Sequence, residues 1–64
     1  MNNYIDYHHM IESHKDSIIR YLHESDIHID QISVIDLFRH FNKCRIRIPF
    51  LLLREAFNEL KKGE

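Results

Sequence analysis

Cysteine, glycine, proline and tryptophan are scarce in this chain of 64 residues, which holds one cysteine, one glycine, one proline and no tryptophan. A lone cysteine cannot form a disulfide within the chain, so the class of disulfide-stapled secreted mini-proteins is excluded and a reducing compartment is favoured. Neither a CxxC nor a CxxxxH pairing is present for a structural zinc. With 44% hydrophobic residues, the chain is predicted to fold instead of serving as a flexible linker.

Long apolar runs are also absent. No run approaches the roughly 18 residues of a membrane-spanning helix, and the N-terminus is polar and rich in histidine where a signal peptide would be apolar. We therefore expect a cytoplasmic protein without a membrane partner. A domain of this length buries only about 60% of its unfolded surface. Because disulfide and zinc staples are missing, a single domain over residues 1–64 that forms a homodimer is predicted.

Acidic and basic residues are unequally divided along the chain. Residues 1–36 hold seven acidic and two basic residues, a net charge of −5, whereas residues 37–64 hold seven basic and three acidic residues, a net charge of +4. No acidic residue lies between Asp36 and Glu55. That gap contains Arg39, His40, Lys43, Arg45, Arg47 and Arg54. Clustered lysine and arginine attract polyanions, so the pattern predicts DNA or an acidic protein surface as the partner.

The first of three helix-like segments runs over residues 4–24. Its larger residues recur at steps of three and four: Tyr4, Tyr7, Ile11, His14, Ile18 and Tyr21. This heptad-like stripe extends beyond what a three-helix unit requires. We therefore predict that the dimer interface contains Tyr4, Tyr7, Ile11, Ile18 and Tyr21. The alternative is a break near His14, with Ser13 and Asp16 starting a shorter helix.

The second and third helix-like segments cover residues 33–42 and 49–62. Ser33 is expected to cap the second helix, with Asp36 three residues later. Pro49 is expected as the first residue of the third helix and Gly63 as its C-terminal cap. The predicted core stripes are Val34, Leu37, Phe38 and Phe41, and then Phe50, Leu53, Ala56, Phe57 and Leu60. Residues 27–30 and 45–48 alternate polar with apolar side chains, so at most these short pieces are strands.

Residues 17–63 resemble the helical half of a winged-helix domain, a helix-turn-helix variant. The segments that carry the resemblance are DSIIRYLHES, IHID before the second helix, SVIDLFRHFN, and RIPFLLLREAFNELKKG as the recognition helix. A winged-helix protein continues after the position of Gly63 into a two-stranded wing, which this sequence does not contain. The resemblance implies an all-α, compact three-helix domain of helix-turn-helix type, with residues 1–24 as a dimerisation helix and 25–64 as the helix-turn-helix-like unit.

A second resemblance is local. Residues 45–49, RIRIP, followed by a helix, are similar to the strand-to-helix entry of ribbon-helix-helix repressors, in which an alternating strand pairs across a dimer. Those proteins need a further helix after this one, whereas here the other helix precedes the strand. The functional prediction therefore follows the helix-turn-helix resemblance. The chain is expected to be a small, non-enzymatic, homodimeric transcription regulator that binds DNA.

The residues predicted to contact the partner are Arg39, Lys43, Arg45, Arg47, Leu51, Arg54 and Asn58. Arginine there can bind phosphates, and Arg54 or Asn58 on the outer face of the third helix can read a base edge. Leu51 points away from the core stripe, which is more typical of a protein interface. The alternative function is therefore a protein-binding modulator or inhibitor, of the kind that small phage or plasmid regulators represent. The non-functional interpretation of the same residues is a solvated face that keeps the domain soluble.

Metal and enzyme chemistry have little support in the sequence. The six histidines, at positions 8, 9, 14, 23, 28 and 40, suggest metal binding or pH sensing. His8 and Glu12 can share a helix face, but HHxxxxH is not a zinc-ligand set. No metal, cofactor or catalytic residue is predicted, because phosphate loops and nucleophile elbows are missing and the chain is too small to enclose a pocket of a few hundred Å³. Cys44 lies near His40 only if the second helix continues through Lys43.

Overall fold

The computed structural model describes the backbone of residues 3–63 and the side chains of residues 6–63. Helix α1 spans Asn3–Ser25, α2 spans Val34–Lys43 and α3 spans Phe50–Lys62, with a 3₁₀ turn at Ile29–Gln31 between α1 and α2. The described residues contain no strand. The prediction of an all-α, three-helix fold with a long first helix is confirmed, and each predicted helix boundary lies within one residue of the observed one.

The core contains residues from all three helices, from the 3₁₀ turn and from the connection between α2 and α3. Its buried residues are Ile11, Ile18, Ile29, Leu37, Phe41, Ile48, Leu53, Ala56 and Phe57. Helix α3 packs against both α1 and α2, and its three buried residues follow the predicted stripe. The ring of Phe50 meets that of Phe38 edge-on, with 5.3 Å between centroids. Helix α3 is therefore the central element, and its other face is left to solvent.

Helix α1 is continuous, so the predicted single helix is confirmed and the alternative break near His14 does not occur. Two of its stripe residues enter the core of the chain itself, since Ile11 is 2% exposed and Ile18 is 0% exposed. Tyr21 is half-buried and packs against that core. The assignment of Ile11 and Ile18 to a dimer interface is therefore corrected, because their side chains already fill intramolecular contacts.

Other residues of α1 remain available to a partner. Tyr7, Met10 and Ile19 are exposed, so the assignment of Tyr7 to a dimer interface stays a prediction. The side chain of Tyr4 lies outside the described residues. The homodimer itself stays a prediction.

Helices α1 and α2 end in the same backbone motif. After α2, Arg45 donates its N–H to the carbonyl of Asn42 at 3.0 Å and Ile46 donates to Phe41 at 2.8 Å. After α1, Asp26 and Ile27 make the corresponding bonds to His23 and Leu22, at 3.3 and 3.0 Å. These are Schellman caps, which satisfy the free carbonyls of the last helical turn. Each requires one residue in the left-handed conformation, here Asp26 and Arg45 with φ of 54° and 63°.

The two short pieces suggested as strands have other structures. Residues 27–30 enter the 3₁₀ turn, where His28 Nδ1 accepts from the N–H of Asp30 at 3.2 Å and Gln31 Oε1 accepts from the N–H of His28 at 2.8 Å. Residues 45–48 form the exit from the α2 cap and an irregular connection. In each piece one isoleucine, Ile29 or Ile48, packs into the core and is 5% exposed. The alternating polarity therefore comes from one buried side chain next to exposed polar ones. A ribbon-helix-helix strand pairs across a dimer, so the conformation of one chain does not test that resemblance.

The predicted caps Ser33 and Gly63 are correct in position, whereas Pro49, expected as the first residue of α3, is its N-cap. Ser33 and Asp36 form a reciprocal capping box at the start of α2, which satisfies free N–H groups of the first turn. Pro49 precedes α3 as its N-cap, and its carbonyl accepts from the N–H of Leu53 at 3.0 Å. Gly63 ends α3 with a φ of −71°, so the left-handed freedom of glycine is not used there.

Among the helices that the structure describes, none combines the length and the apolar character needed to cross a lipid bilayer.

Candidate nucleic-acid interface

The acid-free stretch between Asp36 and Glu55 covers most of α2, the connection to α3 and the first turns of α3, and its basic side chains face solvent. We call residues 39–54 the basic segment. Its five lysine and arginine side chains are all exposed: Arg39, Lys43, Arg45, Arg47 and Arg54. Arg39 and Lys43 are four residues apart on α2 and therefore share one helix face. The sequence-based expectation that these residues are accessible agrees with their placement in the structure.

The positive charges of the basic segment are not neutralised within the described chain. None of its five lysine and arginine side chains makes an ion pair with a residue that the structure describes. Lys15 on α1 differs, because its Nζ lies 3.0 Å from Glu12 Oε2 and 3.4 Å from Glu59 Oε1. The hydrogen bond with Glu12 is the main cause that raises the pKa of Lys15. The basic segment thus offers unpaired cations to a partner, whereas Lys15 is already used.

Arg45 is held in a backbone conformation that suits glycine. A residue with a Cβ atom costs about 1–2 kcal/mol in the left-handed region. The exposed Arg45 side chain makes no described hydrogen bond or ion pair that would offset this cost. Favourable charge near the C-terminus of α2 is already supplied by Lys43 and by His40 when it is protonated. The fold therefore gains little from an arginine at this position.

The outer face of α3 continues the basic segment. Leu51 is 67% exposed, as its position opposite the core stripe predicted, and Arg54 and Asn58 are exposed on the following turns. The first turn of α3 has no acidic residue and no side-chain cap. Its free N–H groups and the positive end of the helix dipole favour negative charge nearby. This face combines arginine, asparagine and one large aliphatic side chain.

A second feature, which sequence reasoning missed, is an open groove. It has a volume of about 750 Å³ and is bordered by the end of α1, the 26–31 loop and the end of α3. Its apolar lining includes Ile19, Leu22, Ile27 and Leu60. The expectation that the chain is too small to enclose a pocket is not contradicted, because this groove is open to solvent. No residue of the basic segment lines it.

His14 is the one histidine of α1 whose ring reaches the protein interior. Its Nε2 atom is shielded from solvent and has no hydrogen-bond partner among the described residues. Burial lowers the pKa of His14, because desolvation disfavours the charged imidazolium. Protonation of this ring therefore opposes the folded state. Its place in the stripe of larger residues on the first helix already set His14 apart from the other histidines.

Stability should consequently depend on pH through His14. Because its folded pKa is lowered, the unfolded chain binds the proton more readily. The contribution of neutral His14 is complete above the usual value of about 6.5 and is lost as the pH falls through the folded pKa. Thermal melts followed by circular dichroism between about pH 7.5 and pH 5 should show a falling midpoint, and His14→Leu should reduce that fall. His9→Leu, on an exposed residue of the same helix, should leave it unchanged; an equal change in both variants would contradict this role.

His40 and Cys44 are brought together by the last turn of α2. The helix continues through Lys43, and His40 Nε2 lies 3.7 Å from Cys44 Sγ. The His40 ring stacks on Tyr21 of α1 with 3.8 Å between centroids. The two residues are four apart in the sequence, so a helix that continues through Lys43 brings them together. Because α2 was predicted to end at Asn42, the sequence did not decide whether they are in contact. No group of three or more potential metal ligands occurs among the described residues.

Comparison of the chain with protein-family models, with curated proteins and with solved structures finds no match.

Proposed function

We propose that the chain is a small, non-enzymatic regulator that binds duplex DNA through the basic segment and the outer face of α3. Arg39, Lys43, Arg45 and Arg47 are assigned to phosphate oxygens, which supply most of the affinity of a DNA-binding protein. Arg54 and Asn58 are assigned to base edges, because arginine pairs with guanine and asparagine with adenine in the major groove. Duplex DNA is favoured over single strands, since the exposed large apolar residues of the basic segment, Ile46 and Leu51, include no aromatic ring for base stacking.

The observation that carries the proposal is the left-handed conformation of Arg45. Residues that lie in a disfavoured backbone region and contribute little to the fold concentrate at functional sites. Glycine would serve the Schellman cap at lower cost. A long cation at this position is therefore best explained by what its side chain contacts outside the chain, and the unpaired neighbours Lys43 and Arg47 indicate an anionic partner.

The experiment replaces Arg45 with glycine, which separates binding from folding. Arg45→Gly should keep or raise the thermal midpoint because it relieves the left-handed strain. It should also weaken duplex binding and lower the slope of log affinity against log salt by about one unit, as expected for one lost phosphate contact. Fluorescence anisotropy with a labelled duplex at several salt concentrations measures both quantities.

Asp26→Gly is the matched control, because Asp26 has the same role in the cap of α1. This change should leave the salt slope unaltered, since Asp26 carries no positive charge. If Arg45→Gly bound duplex DNA with the wild-type slope, the side chain would have no part in phosphate binding. If the wild-type protein showed no salt-dependent affinity for any duplex, DNA would be the wrong partner.

A second function, binding of an acidic protein, is favoured by one specific observation. Leu51 is 67% exposed and Ile46 is 43% exposed within the basic segment. Exposed aliphatic side chains next to unpaired cations suit a protein surface that is acidic and partly apolar. In that case the chain would act as a modulator that occupies its partner. Leucine against a thymine methyl group is the corresponding contact if the partner is DNA.

A further inference from the structure

We propose that His40 and Cys44 form half of a zinc site that is completed by the same two residues of a second copy of the chain. The two ligands lie within the basic segment, but the site uses none of its lysine or arginine side chains and does not depend on the identity of their partner. It supplies a physical basis for a homodimer that the buried residues Ile11 and Ile18 cannot provide.

The spacing of the two ligand atoms fits a tetrahedral ion. Zinc binds cysteine sulfur at about 2.3 Å and histidine nitrogen at about 2.0–2.1 Å, which at the tetrahedral angle separates sulfur from nitrogen by roughly 3.6 Å. His40 Nε2 and Cys44 Sγ are 3.7 Å apart. The observed distance therefore matches the separation of two ligands on one tetrahedral ion.

The histidine ring is already fixed in position. It stacks on Tyr21 at an interplanar angle of 26° with 3.8 Å between centroids, and the edge of Phe41 meets it with 5.5 Å between centroids. Held between these rings, the imidazole loses little freedom when it binds an ion. Cys44 is exposed at the C-cap of α2, so an ion and a second copy of the chain can both reach its sulfur.

One chain supplies two ligands where structural zinc needs four. Because the described residues contain no group of three potential ligands that could hold an ion, the site is incomplete without a partner. A twofold axis through the ion would add a second His40 and Cys44 and give a Cys₂His₂ set, since a symmetric dimer presents the same patch from both copies.

The surface around the pair suits such a contact. It forms a shallow hollow bordered by Arg20, Glu24 and Ile46, among others. Arg20 and Glu24 are exposed and form no ion pair with each other. Across a twofold axis, Arg20 of one copy can meet Glu24 of the other, and the exposed Ile46 can pack on its counterpart. Each Cys44 thiol releases its proton to solvent, so two thiolates balance the charge of Zn²⁺.

The test uses the full chain under reducing conditions. Sedimentation velocity in EDTA and after addition of Zn²⁺ should show a metal-dependent shift from monomer to dimer. Titration with Co²⁺ should saturate at one ion per two chains and give both a thiolate-to-cobalt charge-transfer band and the intense d–d bands of a tetrahedral site. Binding should weaken as the pH falls, because the ligands must be deprotonated.

Two variants assign the ligands. Cys44→Ser should abolish the charge-transfer band and the metal-dependent dimer. His40→Phe should do the same while keeping the stack on Tyr21, and unchanged helical circular dichroism would show that the chain still folds. His9→Phe, on an exposed histidine of α1, should bind cobalt as the wild type does. One ion per chain, a dimer that ignores metal, or an intact cobalt spectrum in either ligand variant would overturn the proposal.

Discussion

Replacement of Ile18 by aspartate is expected to unfold the chain. The side chain of Ile18 is 0% exposed in the core between the helices, so a carboxylate there loses its hydration without a partner. A domain of 64 residues has a free energy of unfolding of about 3–10 kcal/mol. Truncation of a buried isoleucine alone costs about 2–5 kcal/mol, and the uncompensated charge adds to this. Far-ultraviolet circular dichroism should therefore lose its helical bands at room temperature.

Ile19→Asp is the control for this prediction. Ile19 is the next residue of α1 and is 50% exposed, so the same chemical change should leave the helical spectrum and a cooperative melt in place. The pair also tests whether Ile18 belongs to the core of one chain or to a dimer interface. If Ile18→Asp stayed folded and merely became monomeric, Ile18 would belong to an interface between copies and not to the core of one chain.

The helices could be predicted because their signals are local. Apolar spacing, the Ser33 capping box and the scarcity of glycine and proline act within a few residues of each other. These signals place all six helix boundaries within one residue. They also place Leu51 on the outside of α3, since a helix with a defined core stripe has a defined opposite face.

The partner of each apolar face could not be predicted in the same way. A stripe at steps of three and four serves a neighbouring helix of the same chain as well as a helix of another copy. Ile11 and Ile18 therefore satisfied the pattern of a dimer interface, although α3 and the rest of the chain bury them. The same limit applies to residues 27–30 and 45–48, where an alternating pattern without a neighbouring strand became a turn and a connection.

Only part of the candidate interface could be predicted from the sequence. The absence of acidic residues between Asp36 and Glu55 indicated that the basic side chains have no ion-pair partner close to them in sequence. The left-handed conformation of Arg45 could not be predicted, because the Schellman cap was expected only where glycine occurs. The contact of His40 with Cys44 depends on one further helical residue, Lys43, and the unpartnered Nε2 of His14 depends on packing between elements distant in sequence.

Removal of three charges from the basic segment should have the largest effect on binding. The triple change of Lys43, Arg45 and Arg47 to alanine should lower affinity for duplex DNA on the order of 100-fold at low salt, and should reduce the salt slope by about three units if each residue holds one phosphate. All three side chains are exposed and outside the described ion pairs, so the helical spectrum should be kept. Fluorescence anisotropy across a salt series measures the change.

A control with the same change in net charge alters Lys15, Lys61 and Lys62 to alanine. Lys15 is already paired with Glu12 and Glu59, and the other two lysines lie in the last turn of α3, so the salt slope should fall by much less. Leu51→Asp decides between the two partner classes. Damage from Leu51→Asp that exceeds that of the basic triple would identify a protein partner, because a charge in an apolar interface core is left uncompensated. Full binding by the triple variant would show that the basic segment only keeps the surface hydrated.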